Sequence, residues 1–166
     1  MNKIKKRIFL AIAAILVLIA IVVLFLIHTY LFIGTTSKKC KIGIIDYDLS
    51  QTYDNVILIN ESAASSKEKT HGDDIIQFAK EYAPNVEIYY YNALSDDGKI
   101  HSENIVSALK WMKDNNIKYV NISLSSARYN SQLDEWIRNN KDINIYSSYS
   151  NLEQSADYPS MYDNVI

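Results

Sequence analysis

Two residues with catalytic chemistry stand where a parallel α/β sheet would bring side chains together. Asp46 ends the short apolar run that begins at Lys41, a pattern typical of a strand buried on both faces. His71 lies further along the chain and opens a segment with helical periodicity. An acid that orients an imidazole forms two-thirds of the triad that activates a nucleophile. From these two residues alone, the simpler interpretation is a turn-forming acid and a histidine that caps a helix.

The helix that His71 opens is predicted from the pattern between Thr70 and Pro84. A glycine follows the histidine, two carboxylates occupy the first turn, and apolar residues then recur at helical spacing: Ile75, Ile76, Phe78, Ala79 and Tyr82. The pattern ends at Pro84, because proline restricts the residue before it to extended conformations. A histidine at a helix start borders solvent, so its side chain can be aimed into a cleft.

The rest of the chain alternates between strand-like and helix-like segments. Strands are predicted over residues 41–46, 55–60, 85–91, 117–124 and 142–146, a further one begins at 164, and helices are predicted from His71, Ser102 and Gln132. This alternation predicts an α/β fold, a parallel sheet with helices on both faces. Ligands bind such sheets at the carboxyl ends of the strands, where Asp46 and the loops after Leu124 and Tyr146 fall.

The first 33 residues are predicted to lie outside that domain. Four cations between Lys3 and Arg7 precede an uncharged apolar run of 20 residues from Ile8 to Ile27. At about 1.5 Å per residue, the run just spans a hydrocarbon core of about 30 Å, which predicts one transmembrane helix. The preceding cations place the N-terminus in the cytoplasm. A cleaved signal peptide is the alternative, but its apolar core is usually only about 7–15 residues long.

We therefore expect three parts: a basic cytoplasmic end with a signal-anchor helix over residues 1–33, a linker over 34–40, and an extracytoplasmic α/β domain over 41–166. The membrane is thus one expected partner. All 19 acidic residues follow residue 33, whereas four of the 17 basic ones precede it, so 13 bases and 19 acids give the remainder a net charge of −6. This acidic balance argues against nucleic acid as a partner.

Metals and disulfides are not expected. The three histidines, at positions 28, 71 and 101, do not have the spacing of metal ligands. We therefore predict no metal and no other cofactor. The single cysteine, Cys40, allows no internal disulfide.

Five short motifs follow one another along the chain. An apolar strand ends at Asp46, a His-Gly pair at residues 71–72 opens a helix, and Ala-Pro at 83–84 ends it. Residues 121–125 are Asn-Ile-Ser-Leu-Ser, and Tyr-Ser-Asn at 149–151 precedes a Tyr-Pro-Ser-x-Tyr stretch. In this order and spacing, residues 41–166 resemble the subtilisin-like serine peptidases (subtilases).

The resemblance implies a subtilisin-like fold and a serine-type endopeptidase activity on peptide or protein substrates. It also implies roles for individual residues, since an asparagine amide in the oxyanion hole donates to the developing negative charge. The residues matched to these roles are, for catalysis, Asp46, His71 and Asn151, and, for substrate binding, Ser123, Leu124 and Ser125.

Several departures from the family pattern bear on activity. Asp73 replaces the threonine that follows His-Gly, and Ser125 and Ser150 replace glycines, so conformations open to glycine are less available. The family's nucleophile lies in a Gly-Thr-Ser motif that opens a buried central helix, and no serine of this sequence has that context.

These departures predict a chain that is inactive alone. It would be a truncated, split or non-catalytic form, and a second chain is a possible source of the missing part. Without the central helix, several hundred Å² of apolar sheet would be bare. We therefore expect marginal stability, or association with another chain.

Two other interpretations remain open. Asp46 and Asp48 form an Asp-x-Asp pair after a strand, as in haloacid-dehalogenase-like phosphatases, with Mg²⁺ as cofactor and Ser123 and Lys141 in the other roles. Alternatively, the chain is a plain α/β interaction domain on a membrane anchor. Asp46 would then be a turn residue, His71 a helix cap and Asn151 a loop former. The distance between Asp46 and His71 discriminates between these interpretations.

Overall fold

The structure, a computed structural model, describes residues 16–29, 39–60, 68–149 and 157–166. The chain divides into two compact units, Met1–Lys38 and Lys39–Ile166. In the first unit, residues 16–29 form helix α1, whose apolar side chains are exposed. Within the described ranges, no helix is both long and apolar enough to cross a membrane. The transmembrane helix predicted over residues 8–27 falls partly on residues 1–15, which are outside those ranges.

The second unit is built on five parallel strands, which confirms the predicted α/β fold. The strands are β1 (Lys41–Asp46), β2 (Val56–Leu58), β3 (Glu87–Asn92), β4 (Tyr119–Ile122) and β5 (Asn144–Ser147), in the order β2-β3-β1-β4-β5. The helices are α2 (His71–Tyr82), α3 (Ser102–Asp114) and α4 (Ser131–Asn139). Val165 forms a parallel bridge to Ile145, where the sequence predicts the start of a further strand.

Consecutive residues of the central strand β1 point into different cores. Ile44 packs in a cluster with Ile76 of α2, whereas Ile45 packs in a larger cluster with Leu109 of α3 and Ile137 of α4. Because neighbouring residues of a strand face opposite sides, α2 covers one face of the sheet, and α3 and α4 cover the other. Helices on both faces were expected from the sequence.

The crossover connections of the sheet do not all have the same hand. The crossovers from β2 to β3, from β3 to β4 and from β4 to β5 all step across the sheet in the same direction. Since α2 lies on the face opposite to α3 and α4, these three connections cannot share one hand. Parallel crossovers are right-handed in about 98% of cases, so one of these connections is of an uncommon kind.

Among the described residues, those on the α2 side cover only part of that face of the sheet. On this face, beyond β1, Tyr119 of β4 and Tyr146 of β5 keep 46% and 42% of their surface exposed. Together with Phe78 of α2, they line an apolar groove of about 460 Å³ with Ile42 at its floor. We call this the α2-side groove. The opposite face, by contrast, is covered by two helices.

Candidate active site

Asp46 and His71 meet at the carboxyl edge of the sheet. Asp46 is the last residue of β1, and His71 is the first residue of α2. The His71 Nδ1 atom lies 2.9 Å from Oδ1 and 3.0 Å from Oδ2 of Asp46. The aspartate side chain is fully buried, whereas half of the imidazole surface is exposed. With Nδ1 directed at the carboxylate, Nε2 is the ring nitrogen left to take up a proton from another group.

The Asp46 carboxylate depends on its partners. Burial raises its pKa above the usual range, while hydrogen bonds from His71 and from the Tyr47 backbone N–H oppose that rise. The Tyr47 N–H donates to Oδ1 at 2.7 Å. The carboxylate is therefore held by one backbone donor and one imidazole, which fixes the ring orientation of His71.

Asp73 ties the start of α2 to the loop after β1. Thr70 caps the helix in a capping box with Asp73. The Asp73 carboxylate also accepts hydrogen bonds from the Ser50 backbone N–H and from the Tyr53 hydroxyl. Burial alone would raise the pKa of Asp73, but the hydrogen bonds from Ser50, Thr70 and Tyr53 lower it to about 2. An ionised, fully satisfied carboxylate thus anchors the helix that carries His71.

Gly72 allows a buried tyrosine to reach under the same helix start. A Cβ atom at Gly72 would lie 2.0 Å from the Tyr90 hydroxyl and 3.0 Å from the Asp48 carbonyl oxygen. The space is filled by Tyr90, whose hydroxyl donates to the backbone carbonyl of Tyr47. Tyr90 is fully buried, and burial raises the pKa of its hydroxyl. It therefore stays neutral and able to donate.

The residues predicted to bind substrate lie on two different surfaces. Leu124 and Ser125 line a cleft of about 610 Å³, which Tyr47 borders. Ser123 lines the α2-side groove instead, where its hydroxyl accepts a hydrogen bond from the Asn121 side chain at 2.5 Å. Asn151, predicted to donate to the oxyanion, lies outside the described residues.

Sequence reasoning identified neither Tyr47 nor Tyr90 as part of the site. Tyr47 follows the predicted acid directly, so its position in the chain was a usable signal. Tyr90 gave no such signal, because it is one of several aromatic residues in a strand. Only the packing of β3 beneath Gly72 shows its role.

The side chains around Asp46 are arranged for hydrogen bonding to a histidine. In the part of the chain that the structure describes, no group of three His, Cys, Asp or Glu residues could hold a metal ion. Both Asp46 oxygens face His71 Nδ1, and one also accepts from a backbone N–H. This geometry favours an acid that orients a histidine over an acid of an Asp-x-Asp phosphatase.

Solved structures resemble this fold, although sequence comparisons find nothing. No protein-family model and no curated protein matches the sequence. A psychrophilic subtilisin-like protease, Apa1 from the Antarctic psychrotroph Pseudoalteromonas sp. AS-11, matches with a TM-score of 0.62 and 18% identity, over 82% of this chain and 38% of its own.

Two further proteases give similar matches. A lanthipeptide protease matches with a TM-score of 0.57 and 21% identity, over 76% of this chain and 46% of its own. The prenylagaramide maturation protease PagA matches with a TM-score of 0.60 and 14% identity, over 76% and 51%. The chain thus spans about half or less of the proteases it matches. Over that part, it has the fold of the subtilisin-like proteases.

Proposed function

We propose that this chain supplies the aspartate–histidine half of a subtilisin-type serine endopeptidase site. The observation that carries the proposal is the contact between His71 Nδ1 and the buried carboxylate of Asp46, at 2.9 Å, on a fold shared with subtilisin-like proteases. The nucleophilic serine would come from outside these 166 residues, on the same polypeptide or on a second chain. Without it, the chain is inactive by this mechanism.

The arrangement is suited to general-base catalysis. His71 Nε2 would take the proton from the incoming serine hydroxyl as its oxygen forms a bond to the substrate carbonyl carbon. Asp46 would hold the ring and stabilise the imidazolium that results. His71 would then return the proton to the leaving amine as the peptide bond breaks. The amide of Asn151 is our candidate donor to the oxyanion, a contribution of about 2.7–4 kcal/mol for such donors.

The α2-side groove is our candidate docking surface for an added element that carries the serine. The groove is lined by apolar side chains of α2 and of the sheet, and its wall residues Phe78, Tyr119 and Tyr146 are exposed. Parallel sheets are normally covered on both faces. An apolar helix in this groove would bury these side chains. If its first turn lay at the carboxyl edge, a serine there would approach His71, as the resemblance to subtilases implies.

The cleft beside Tyr47 is our candidate site for a peptide substrate. Leu124 and Ile105 give it apolar walls, and Ser125 and Ser126 follow the end of β4 along it. The backbone of Ser126 is already paired with that of Tyr158, so the apolar walls and the serine hydroxyls are the groups that this cleft offers to a peptide. A peptide or protein substrate fits this cleft better than a compact polar metabolite.

The proposal is tested by active-site labelling in the native host. Cells that express the chain with an affinity tag are lysed and treated with a fluorophosphonate, which reacts with activated serines. We expect a labelled serine either in the tagged polypeptide itself or in a protein that co-purifies with it. Its labelling should fall by at least about tenfold in His71→Ala, because the general base is lost. Lys118→Ala, at an exposed side chain that lines neither this cleft nor the α2-side groove, is the control.

Labelling that survives His71→Ala would contradict the proposal. Complete absence of a labelled serine with the wild-type chain would do so as well, and would leave a non-catalytic interaction domain as the better explanation.

We also propose that the N-terminal apolar run anchors the chain and that the α/β domain is outside the cytoplasm. The support is the hydropathy of residues 8–27 and the cations before it. Cys40, an exposed free cysteine and the only one in the chain, makes the test simple. A membrane-impermeant maleimide should label Cys40 on intact cells, and Cys40→Ser should abolish the signal. Labelling that requires cell lysis would contradict this orientation.

A further inference from the structure

Tyr47 lies between the Asp46–His71 pair and the cleft. Its ring meets the His71 imidazole edge-on, with ring centroids 6.3 Å apart and planes at 80°. This distance is within the range of favourable aromatic contacts. The same residue borders the cleft that Leu124 and Ser125 line, and 43% of its surface is exposed. One aromatic side chain thus contacts the histidine and faces the space where a ligand would lie.

The backbone of Tyr47 is held on both sides. Its N–H donates to Oδ1 of Asp46 at 2.7 Å, and its carbonyl accepts from the buried Tyr90 hydroxyl. A shift of the Tyr47 backbone would break one or both of these bonds, and loss of the first would leave the buried carboxylate with one donor fewer. The ring is therefore attached to a backbone whose position is coupled to Asp46. The edge-on contact with His71 favours this orientation of the ring.

We propose that Tyr47 is a specificity-determining residue that also positions His71. A ring in this orientation takes up volume between the histidine and the cleft, so the substrate side chain that lies against it must be small. Larger side chains at that point would clash, which is the repulsive element that specificity requires. The proposal rests on the proposed function, because it assumes that a peptide lies in the cleft beside His71.

The test uses peptide binding, which requires no serine. Four acetylated tetra-alanine amides, each with one alanine replaced by leucine, are titrated against the full chain, with unsubstituted tetra-alanine as reference. We expect one of the four leucine positions to weaken binding to the wild-type chain. Tyr47→Ala should relieve that penalty by about tenfold, the scale of a lost steric contact with one small side chain. Tyr47→Phe, which keeps the ring, should retain it.

A second readout reports on His71 directly. The imidazole C–H signals of His71, followed by NMR, should move in Tyr47→Ala because the ring no longer shields them. They should stay close to the wild-type positions in Tyr47→Phe. Retained signals from the α3–α4 core would show that each variant is folded.

Two outcomes would overturn the proposal. One is equal selectivity for the leucine peptides in the wild-type chain and in Tyr47→Ala, and the other is no binding of any peptide. The proposed function fails on separate evidence, namely fluorophosphonate labelling that is absent or does not depend on His71. The failure of one proposal can therefore be distinguished from the failure of the other.

Discussion

At the scale of single residues, burial and hydrogen bonding have opposite effects on the pKa of the two carboxylates at the site. Asp46 is buried, which raises its pKa. The hydrogen bonds from His71 and from the Tyr47 N–H stabilise its ionised form and oppose that rise. Asp73 shows the opposite balance. Burial raises its pKa, but the hydrogen bonds that its carboxylate accepts have the larger total effect and lower the pKa to about 2. The first carboxylate is poised to orient a histidine, and the second stabilises the helix that bears it.

The Asp73 network predicts a pH-dependent stability. Because the folded pKa lies below the usual 3.8, Asp73 stabilises the fold above about pH 4, and this contribution is lost as the pH falls towards 2. Asp73→Asn should reduce the free energy of unfolding by about 2 kcal/mol at neutral pH and flatten its decline between pH 4 and pH 2. Urea unfolding of both proteins across this range measures the difference.

Asp74→Asn is the matched control for that prediction. Asp74 occupies the same helical turn, but it is exposed and pairs with Lys69 at the surface. An exposed pair of this kind contributes about 0–1 kcal/mol. Equal losses of stability in the two variants would show that the buried network around Asp73 has no special role.

The sequence patterns pointed to Asp46 and His71 as partners, and the structure brings them into contact, whereas the contacts of Tyr90 could not be predicted. An acid at a strand end and a histidine at a helix start have recognisable local patterns. The role of Tyr90 arises from its distance to Gly72 and to the Tyr47 carbonyl, which joins residues far apart in the chain. Such a contact has no local signature.

At the scale of elements, α2 is the piece that assembles the site. Its N-terminus brings His71 to Asp46, its capping residues Thr70 and Asp73 bind the loop after β1, and its apolar side packs on β1 and β3. Helical periodicity predicted this helix closely. Its location alone on one face gives its crossover a different hand from those through α3 and α4, and the hand of a connection cannot be predicted from hydrophobic spacing.

The edge strand β2 is shorter than the sequence predicts. The apolar run favoured a strand over residues 55–60, but the structure has Val56–Leu58 only. Asn55 adopts a φ of 66°, a left-handed conformation that asparagine tolerates and that a strand cannot continue through. Sequence patterns identify apolar runs, but they do not show where the backbone turns out of the extended region.

The close contact beneath the start of α2 predicts a coupled pair of substitutions. Gly72→Ala would force a Cβ atom against the Tyr90 hydroxyl and should destabilise the fold by about 1–3 kcal/mol, as overpacking generally does. Tyr90→Phe removes that oxygen, so the double variant should lose less than the sum of the two single losses. Thermal or urea unfolding of the four proteins of this cycle gives the coupling energy.

Strict additivity in that cycle would contradict the contact. It would mean that the alanine methyl group meets something other than the Tyr90 hydroxyl, or that the helix start moves freely away from β3.

At the scale of the whole molecule, the uncovered part of the sheet is the most informative feature. The α3–α4 face has a continuous core, whereas the α2-side groove leaves aromatic side chains exposed. The sequence predicted bare apolar surface from the absence of a Gly-Thr-Ser context. It could not show that β4 and β5 are the strands concerned, because that depends on the strand order.

If the groove receives the serine-bearing element, substitutions in it should weaken assembly. Phe78→Ser combined with Tyr146→Ser should reduce recovery of the fluorophosphonate-labelled serine with the tagged chain by at least about tenfold, equivalent to about 1.4 kcal/mol. If that serine belongs to the same polypeptide, the double variant should instead lower the labelling itself. Ile57→Ser, at a side chain that is 40% exposed on the opposite edge of the sheet, is the control.

The groove would not be the assembly surface if recovery or labelling were unchanged in the double variant. An equal loss in Ile57→Ser would point to a general loss of stability instead.

The proposed mechanism depends above all on Asp46 holding His71 with its Nε2 atom free to act as a base. The tautomer of the neutral His71 ring reports on this arrangement without any serine, and it is read from the ¹⁵N signals of the ring. We expect a protonated Nδ1 and an unprotonated Nε2, with the preference lost or reversed in Asp46→Asn. A neutral ring that carries its proton on Nε2 in the wild-type chain would contradict the proposed role of the pair.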